Sequence, residues 1–225
     1  MDLNETGRPI GTVQVEFASN GSNVLLDDVS LEKASDINPT VFRDDVVKVL
    51  KELRPGLLRY WSGQLGDTLE NQISPPFARR RTGYSASRTE QDQLQYGLYD
   101  FLQLCSVIGA DPYYVAPITF SPDEMQNLIQ FLAGSADTPY GTKRAALGRT
   151  RLWTETFRKI HIEFGNEAWN PIFKGGVIED PRAYGNRANE LFRAARAAKE
   201  YPSSGSVATG RGEADKVGDW QNHDR

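Results

Sequence analysis

The sequence predicts an α/β fold in which parallel strands alternate with crossover helices. Segments with the apolar spacing of helices alternate along the chain with short apolar runs, which is the order found in parallel sheets and barrels. The predicted strands begin near residues 57, 112, 160 and 206, about 50 residues apart. Eight units of that length would need roughly 400 residues, within the upper range of (β/α)8 barrels. The 225 residues therefore correspond to about half of such a barrel.

The first predicted element is a β-hairpin over residues 11–31. Apolar and polar residues alternate over 11–17, turn-forming residues occupy 19–23, and a second apolar run covers 24–31. Two strands do not form a stable sheet alone. We therefore expect residues 1–34 to be either a hairpin docked on the rest of the chain or the remnant of a larger β-sandwich.

The remaining elements follow in alternating order. Helices are indicated by apolar stripes and by capping residues at their ends, and strands by short apolar runs. The predicted helices cover 40–53, 89–108, 121–132 and 180–201, and the predicted strands cover 57–61, 112–118, 160–164 and 206–210. Residues 63–89 lack periodicity and are predicted to form a long loop. These elements assign residues 35–210 to the barrel and 211–225 to a polar tail that we expect to be disordered.

Composition excludes several classes of function. Hydrophobic residues make up 39% and charged residues 25%, which is typical of a globular domain with a buried core. A net charge of −4 predicts no nucleic-acid partner. With the single cysteine Cys105 and only two histidines, we expect no disulfide framework, no metal site and no cofactor. No membrane span or signal peptide is indicated, so an extracellular or periplasmic location is expected only if a longer protein carries a signal peptide.

The stretch 160–170 is the most informative part of the sequence. Its residues alternate between an apolar face and a second face: Ile160, Ile162 and Phe164 against His161, Glu163, Gly165 and Glu167. The strand ends in Gly-Asn-Glu-Ala-Trp-Asn, which places an amide, a carboxylate and an indole at the carboxyl end of a parallel strand, where active sites of such folds lie. The alternative is a buried strand followed by a polar turn, with Glu167 simply solvated.

Four stretches that occur in a fixed order point to a known family. They are Leu25–Leu31, Phe42 to Tyr60 with Leu-Arg-Tyr at its end, Tyr99 to Tyr114, and Arg144 to Glu167 with Phe-Gly-Asn-Glu at its end. Together, over roughly residues 24–210, they resemble the (β/α)8-barrel glycoside hydrolases of clan A, most closely the α-L-arabinofuranosidase family. The resemblance implies a partial TIM barrel in which residues 1–34 are the remnant of a carbohydrate-binding β-sandwich.

The resemblance also assigns roles to individual residues. Glu167 matches the general acid/base at the end of the fourth barrel strand, and Asn166 matches the asparagine that hydrogen-bonds the sugar 2-hydroxyl. Arg59 matches an arginine on the second strand that supports the nucleophile carboxylate. The family's nucleophile is a glutamate on the seventh strand, which has no counterpart in this chain. The resemblance therefore implies a retaining hydrolase fragment that is inactive by itself.

Alternative roles remain open for the same side chains. Trp169 would supply an apolar wall beside the acid, stack on a sugar, or pack in the core. Asn166 would instead stabilise the turn, and Arg59 would instead form a buried structural ion pair. We expect His161 and Glu163 to belong to a structural network rather than to the catalytic groups.

The sequence departs from the family pattern at two places. Arg59-Tyr-Trp-Ser-Gly63 stands where the family usually has Arg-x-Pro-Gly-Gly, and residues 168–171 also differ. The primary expectation is hydrolysis of α-L-arabinofuranosides in plant-type polysaccharides. The alternatives are a xylosidase, glucuronidase or endoglycanase of the same clan, a non-catalytic carbohydrate-binding relative, and an α/β domain without any sugar site. An open half-barrel is also expected to self-associate through its exposed edges.

Overall fold

The computed structural model describes residues 16–21, 23–26, 38–61, 66–75, 78–79, 96–171, 177–202 and 217–219. The chain divides into two compact units, Met1–Lys33 and Ala34–Arg225. In the first unit, the described residues 16–21 and 23–26 have no strand, and the predicted hairpin over 11–31 stays a prediction. Leu25 is 96% exposed, and there is no sheet face here that buries alternate side chains. The other residues of the predicted hairpin lie outside the described part, and the β-sandwich remnant stays a prediction.

A parallel sheet forms the centre of the second unit. Its strands are β1 (Leu57–Tyr60), β2 (Asp111–Ala116), β3 (Ile160–Phe164) and β4 (Val217–Asp219), hydrogen-bonded in that order. All three pairings are parallel, as the alternation of helices and strands predicted. The predicted strand over 206–210 lies outside the described residues. The fourth strand instead lies within the segment expected to be a polar tail, and its three residues carry no sequence signal because only pairing with β3 defines it.

Six helices and one 3₁₀ turn occur in the described residues. They are α1 (Asp44–Leu53), α2 (Leu69–Ile73), α3 (Leu98–Ile108), α4 (Pro122–Ala133), α5 (Pro139–Ala146), the 3₁₀ turn Trp153–Glu155, and α6 (Pro181–Ala197). The capping box predicted before α4 is confirmed, since Ser121 and Glu124 exchange backbone-to-side-chain hydrogen bonds of 2.9 and 3.1 Å. Helix α3 begins at Leu98 rather than near 89, and residues 80–95 lie outside the described part. Among the described residues no helix has the length and apolar character needed to span a bilayer.

The hydrophobic core lies between one face of the sheet and the helices. Ile160, Ile162 and Phe164 are each 1% exposed and pack against residues of α3, α4 and α6, so the predicted apolar face of this strand is confirmed. Tyr60 and Tyr114 from the two preceding strands lie in the same core. Because strand residues alternate between faces, the intervening polar residues are collected on the opposite face of the sheet.

Helix α1 buries a different face from the one its apolar spacing indicates. Val46, Val49 and Leu53 are 43%, 60% and 70% exposed, whereas Val47 is 2% exposed and packs with residues of α3. The helix carries two overlapping apolar stripes, and sequence periodicity does not show which of them docks. The stripe formed by Val46, Val49 and Leu53 is accordingly open to solvent.

This exposed stripe is expected to make the isolated chain self-associate, because open strand edges and contiguous apolar surface favour pairing. Replacing Val49 with lysine should shift the sedimentation of the chain towards the monomer. The matched control is Asn186→Lys, at an exposed position on α6, which should leave sedimentation unchanged. A monomeric wild-type chain with a sharp two-state melt would contradict the expectation.

Candidate active site

The loop after β3 has a backbone that only a few sequences can adopt. Gly165 has φ +66°, and its N–H extends the ladder with a 2.9 Å hydrogen bond to the carbonyl of Ala116. A Cβ atom at this position would lie 2.3 Å from Cγ2 of Ile118. Glycine is therefore required at position 165 for two reasons: the φ is left-handed, and the end of the neighbouring strand leaves no room for a Cβ atom. The result is a tight exit from β3 that fixes where Asn166 and Glu167 begin.

Glu167 lies at the carboxyl edge of the sheet, as its position after β3 predicted. Its side chain is exposed, and Oε2 accepts a 3.0 Å hydrogen bond from Nδ2 of Asn170. A second bond of 2.8 Å joins the N–H of Asn170 to the carbonyl of Glu167. The φ of Glu167 is +45°, a left-handed conformation that costs a residue with a Cβ of the order of 1 kcal/mol. The loop thus holds this carboxylate in a strained backbone at the solvent-accessible end of the sheet.

Arg59 and Asn166 are brought into direct contact. Nη2 of Arg59 donates to Oδ1 of Asn166 over 2.9 Å. The same guanidinium donates through Nε and Nη2 to Oε2 of Glu163, at 2.9 and 2.7 Å. The side chains of Arg59 and Glu163 are 34% and 10% exposed. Because Arg59 holds the oxygen of the Asn166 amide, the donor side of that amide has a defined direction.

Tyr113 and His161 continue the same row across the sheet. Arg59 pairs in register with Tyr113, and Tyr113 pairs with His161. The guanidinium carbon of Arg59 lies 5.4 Å from the centre of the Tyr113 ring, within cation–π range. Burial and then the neighbouring Glu163 raise the pKa of Tyr113, while burial and then the charge of Lys159 lower the pKa of His161. Both rings are accordingly neutral near pH 7 and serve as walls around the Arg59–Glu163 pair.

His161 is expected to make the fold sensitive to acid. Its pKa is lower in the folded chain than in the unfolded chain, where it is about 6.5. The unfolded state therefore takes up the proton first, and the stabilisation present above about pH 6.5 is lost as the pH falls through the folded-state value. The His161→Gln variant lacks this proton uptake. Urea denaturation should show that its free energy of unfolding falls less than that of the wild type between about pH 7 and about pH 5; equal losses would contradict the expectation.

Trp169 is 63% exposed, so packing in the core is not its role. An apolar wall beside Glu167 and a surface that stacks on a sugar both remain compatible with this exposure. A second exposed tryptophan, Trp61 at 46%, follows directly after β1 at the same edge of the sheet. Sequence reasoning did not assign a role to Trp61, although it stands within the departure from the family pattern. It also missed Glu163 as the partner of Arg59.

Glu167 and Asn166 give the carboxyl edge of the sheet a group that can transfer protons and a group that can form hydrogen bonds. A solvent-accessible carboxylate and two exposed indoles follow the strand ends at this edge, where the guanidinium of Arg59 contacts the amide of Asn166 and is paired with the carboxylate of Glu163. Within the described residues, no group of three His, Cys, Asp or Glu side chains is placed to hold a metal ion. A solvent-accessible carboxylate of this kind can transfer a proton to or from a bound ligand.

The chain is similar in sequence to known and probable α-L-arabinofuranosidases. No protein-family model matches the chain. An intracellular exo-α-L-arabinofuranosidase of Bacteroides ovatus is 24% identical over 199 residues, covering 83% of this chain and 38% of the relative. A probable α-L-arabinofuranosidase C of Aspergillus terreus is 31% identical over 157 residues, covering 68% of this chain and 30% of the relative.

A solved structure gives the same result for the fold. The α-L-arabinofuranosidase of Thermotoga maritima, determined as an arabinose complex, superimposes with a TM-score of 0.60 at 23% identity. The superposition covers 75% of this chain and 34% of that enzyme. The chain thus spans about a third of the length of the relatives that it matches. Its sequence is similar to part of these α-L-arabinofuranosidases, and its fold is that of part of their TIM barrel.

Proposed function

We propose that this chain is part of a retaining glycoside hydrolase that cleaves α-L-arabinofuranosyl linkages in plant-type polysaccharides. Glu167 is its general acid/base, Asn166 binds the sugar 2-hydroxyl, and Arg59 positions Asn166. Trp169 contributes to the sugar-binding surface. The nucleophile is supplied by a glutamate outside this chain, so the 225 residues by themselves bind sugar without hydrolysing it.

The observation that carries the proposal is the contact between Arg59 and Asn166 beside Glu167. The resemblance implies that one strand separates the strand of the arginine from the strand of the acid. Arg59 lies in β1 and Glu167 follows β3, and β2 lies between these two strands. Two residues that are 107 positions apart in sequence meet at 2.9 Å where the carboxyl ends of these strands lie. That edge is where parallel barrels place their catalytic groups.

In the proposed reaction Glu167 protonates the leaving-group oxygen while the nucleophile attacks the anomeric carbon. Water then hydrolyses the glycosyl-enzyme, with Glu167 accepting its proton. Asn166 strengthens its hydrogen bond to the 2-hydroxyl as the oxocarbenium character develops. Glu163 is not proposed as the nucleophile, because it lies within β3, whereas the resemblance places the nucleophile on the seventh strand.

Calorimetric titration of the chain with L-arabinose tests the site. We expect binding that Asn166→Ala weakens by about tenfold, in line with the loss of one well-oriented hydrogen bond. Glu167→Gln keeps the shape and should change the affinity by less than about threefold. Absence of arabinose binding by the wild-type chain would overturn the proposal. Rapid hydrolysis of an aryl α-L-arabinofuranoside by the same chain would overturn the assignment of the nucleophile to a region outside it.

A non-catalytic carbohydrate-binding relative is the second candidate. It is favoured by the pairing of Glu163 with Arg59, since Glu167 is then the remaining acidic side chain of the described site. The encoding DNA beyond the codon for Arg225 distinguishes the two functions. A reading frame that continues for roughly 150 residues and includes a strand ending in glutamate supports the hydrolase. A stop codon directly after Arg225 supports the binding protein.

A further inference from the structure

The site loop (residues 165–167) is held at both ends by the part of the chain that follows it. The hydroxyl of Tyr184 donates to the carbonyl of Phe164 over 2.7 Å. The N–H of Ile178 donates to the carbonyl of Ala168, also over 2.7 Å. Phe164 and Ala168 are 1% and 6% exposed, so water has little access to replace either donor. The two hydrogen bonds therefore fix the backbone immediately before and immediately after the site loop.

Tyr184 supplies a donor at a point that no described strand reaches. The N–H of Gly165 donates to Ala116 in β2, and a trans peptide directs the carbonyl of Phe164 the opposite way, away from β2. On that side β4 pairs with β3 only as far as Ile162 in the described residues. The Tyr184 ring also packs on the Phe164 ring, with centroids 5.2 Å apart. Within the described part of the chain, a side chain of α6 thus takes the place of a neighbouring strand at the end of β3.

Helix α6 is a firm support for this contact. Leu191 in its third turn is buried in the core between the sheet and the helices. Arg187, one turn after Tyr184, donates through Nη2 to the carbonyl of Phe120 over 2.6 Å. Phe120 lies in the loop after β2, as the site loop lies after β3. The first turns of α6 therefore hold two neighbouring loops at the carboxyl edge of the sheet.

Glu167 depends on such restraints because its backbone is strained. Its φ is +45°, in the left-handed region that a residue with a Cβ atom adopts only at a cost. Strained residues persist where the surrounding structure fixes them. If one end of the site loop is released, the backbone relaxes towards negative φ and the carboxylate moves. A displacement of about 1 Å at a reacting group lowers rates by up to roughly a hundredfold.

We propose that Tyr184 is a positioning residue for Glu167, and that its hydroxyl, together with the N–H of Ile178, keeps the site loop in the conformation that catalysis needs. The inference rests on the proposed function and adds to it a residue of α6 that acts through the backbone of the loop. Tyr184 transfers no proton and is not a catalytic residue.

Amide hydrogen exchange of the 225-residue chain, followed by NMR, tests the restraint. Tyr184→Phe keeps the ring and removes the hydroxyl that binds the carbonyl of Phe164. We expect the N–H groups of Gly165 and Asn170, in and just after the site loop, to exchange at least about tenfold faster. The N–H of Leu128 within α4 should change by less than about twofold, because the opening is local. Unchanged exchange at Gly165 and Asn170 overturns the inference and leaves the proposed function intact.

Kinetics of the complete enzyme tests whether the restraint serves Glu167. The kcat/KM of Tyr184→Phe on arabinan should fall by about tenfold, as expected for a displaced general acid. On a dinitrophenyl arabinofuranoside, whose leaving group departs without protonation, the fall should stay below about twofold. A loss of folding or of sugar binding would lower both values equally, and equal losses overturn the inference.

The matched control is Tyr140→Phe, which removes a hydroxyl that donates to Glu70 over 2.6 Å, outside the site loop. It should leave the exchange rates and both kcat/KM values unchanged. The Glu167→Ala variant separates this inference from the proposed function. If Glu167→Ala shows the dependence on the leaving group and Tyr184→Phe does not, this inference alone fails. If Glu167→Ala lowers both kcat/KM values equally, or if the reading frame ends at Arg225, the proposed hydrolase and this inference fail together.

Discussion

Replacing Glu167 with alanine is expected to lower kcat/KM of the complete enzyme by about 10²–10⁴-fold on arabinan, the contribution typical of a positioned general acid. The loss should be far smaller on a dinitrophenyl arabinofuranoside, whose leaving group departs without protonation. In the proposed mechanism Glu167 protonates the leaving-group oxygen, so the need for Glu167 depends on the basicity of that oxygen. Steady-state kinetics on the two substrates measures this difference.

The control for this experiment is Glu179→Ala, an exposed glutamate before α6, which should change neither rate. Equal losses on both substrates for Glu167→Ala would show that the residue supports the fold or the binding of the sugar and does not act as the acid. A variant that retains full activity on arabinan would remove Glu167 from the mechanism altogether.

Replacing Arg59 with methionine is expected to cost roughly 2–3 kcal/mol of folding free energy. The change leaves the carboxylate of Glu163, which is 10% exposed, without its guanidinium. We expect a smaller loss of folding free energy than for a fully buried ion pair, because 34% of the Arg59 side chain is exposed to solvent. Urea denaturation measures it, and Arg43→Met is the matched control. The ion pair of Arg43 with Asp45 is 81% and 62% exposed and should contribute less than about 1 kcal/mol.

The double variant Arg59→Met/Glu163→Gln separates stability from function. Removing both charges should restore at least half of the lost stability, since no uncompensated carboxylate remains. Arabinose affinity should stay low, because the double variant still lacks the guanidinium of Arg59 that donates to Oδ1 of Asn166 in the wild type. An Arg59→Met variant no less stable than Arg43→Met, or a double variant with wild-type affinity, would contradict the positioning role of Arg59.

Local signals predicted β1, β2 and β3 and the best-capped helix. The apolar runs at β2 and β3 and the Ser121–Glu124 box before α4 each involve neighbours within a few residues, which sequence patterns report directly. Helices α2 and α5 were missed because they are five and eight residues long and lie in polar stretches. Helices of that length depend on tertiary packing for stability rather than on their own periodicity.

In the candidate site, too, some features could be predicted from local sequence and others could not. The positions of Asn166 and Glu167 at a strand end follow from the alternation of the residues before them. The pairing of Arg59 with Glu163 joins side chains 104 residues apart and depends on the register of three strands, which no local pattern contains. The left-handed φ of Glu167 was likewise unforeseen, because glutamate is not a residue that favours this conformation.

The positive φ of Glu167 should influence which residues laboratory selection favours at position 167. A library randomised at position 167 and selected only for thermal stability should become enriched in asparagine and glycine, which adopt positive φ at lower cost. The same substitutions placed in the proposed full-length enzyme and selected for growth on arabinan as sole carbon source should retain glutamate. If selection for stability enriches asparagine or glycine at position 167 and selection for growth retains glutamate, the backbone conformation and the proposed activity favour different residues at this position.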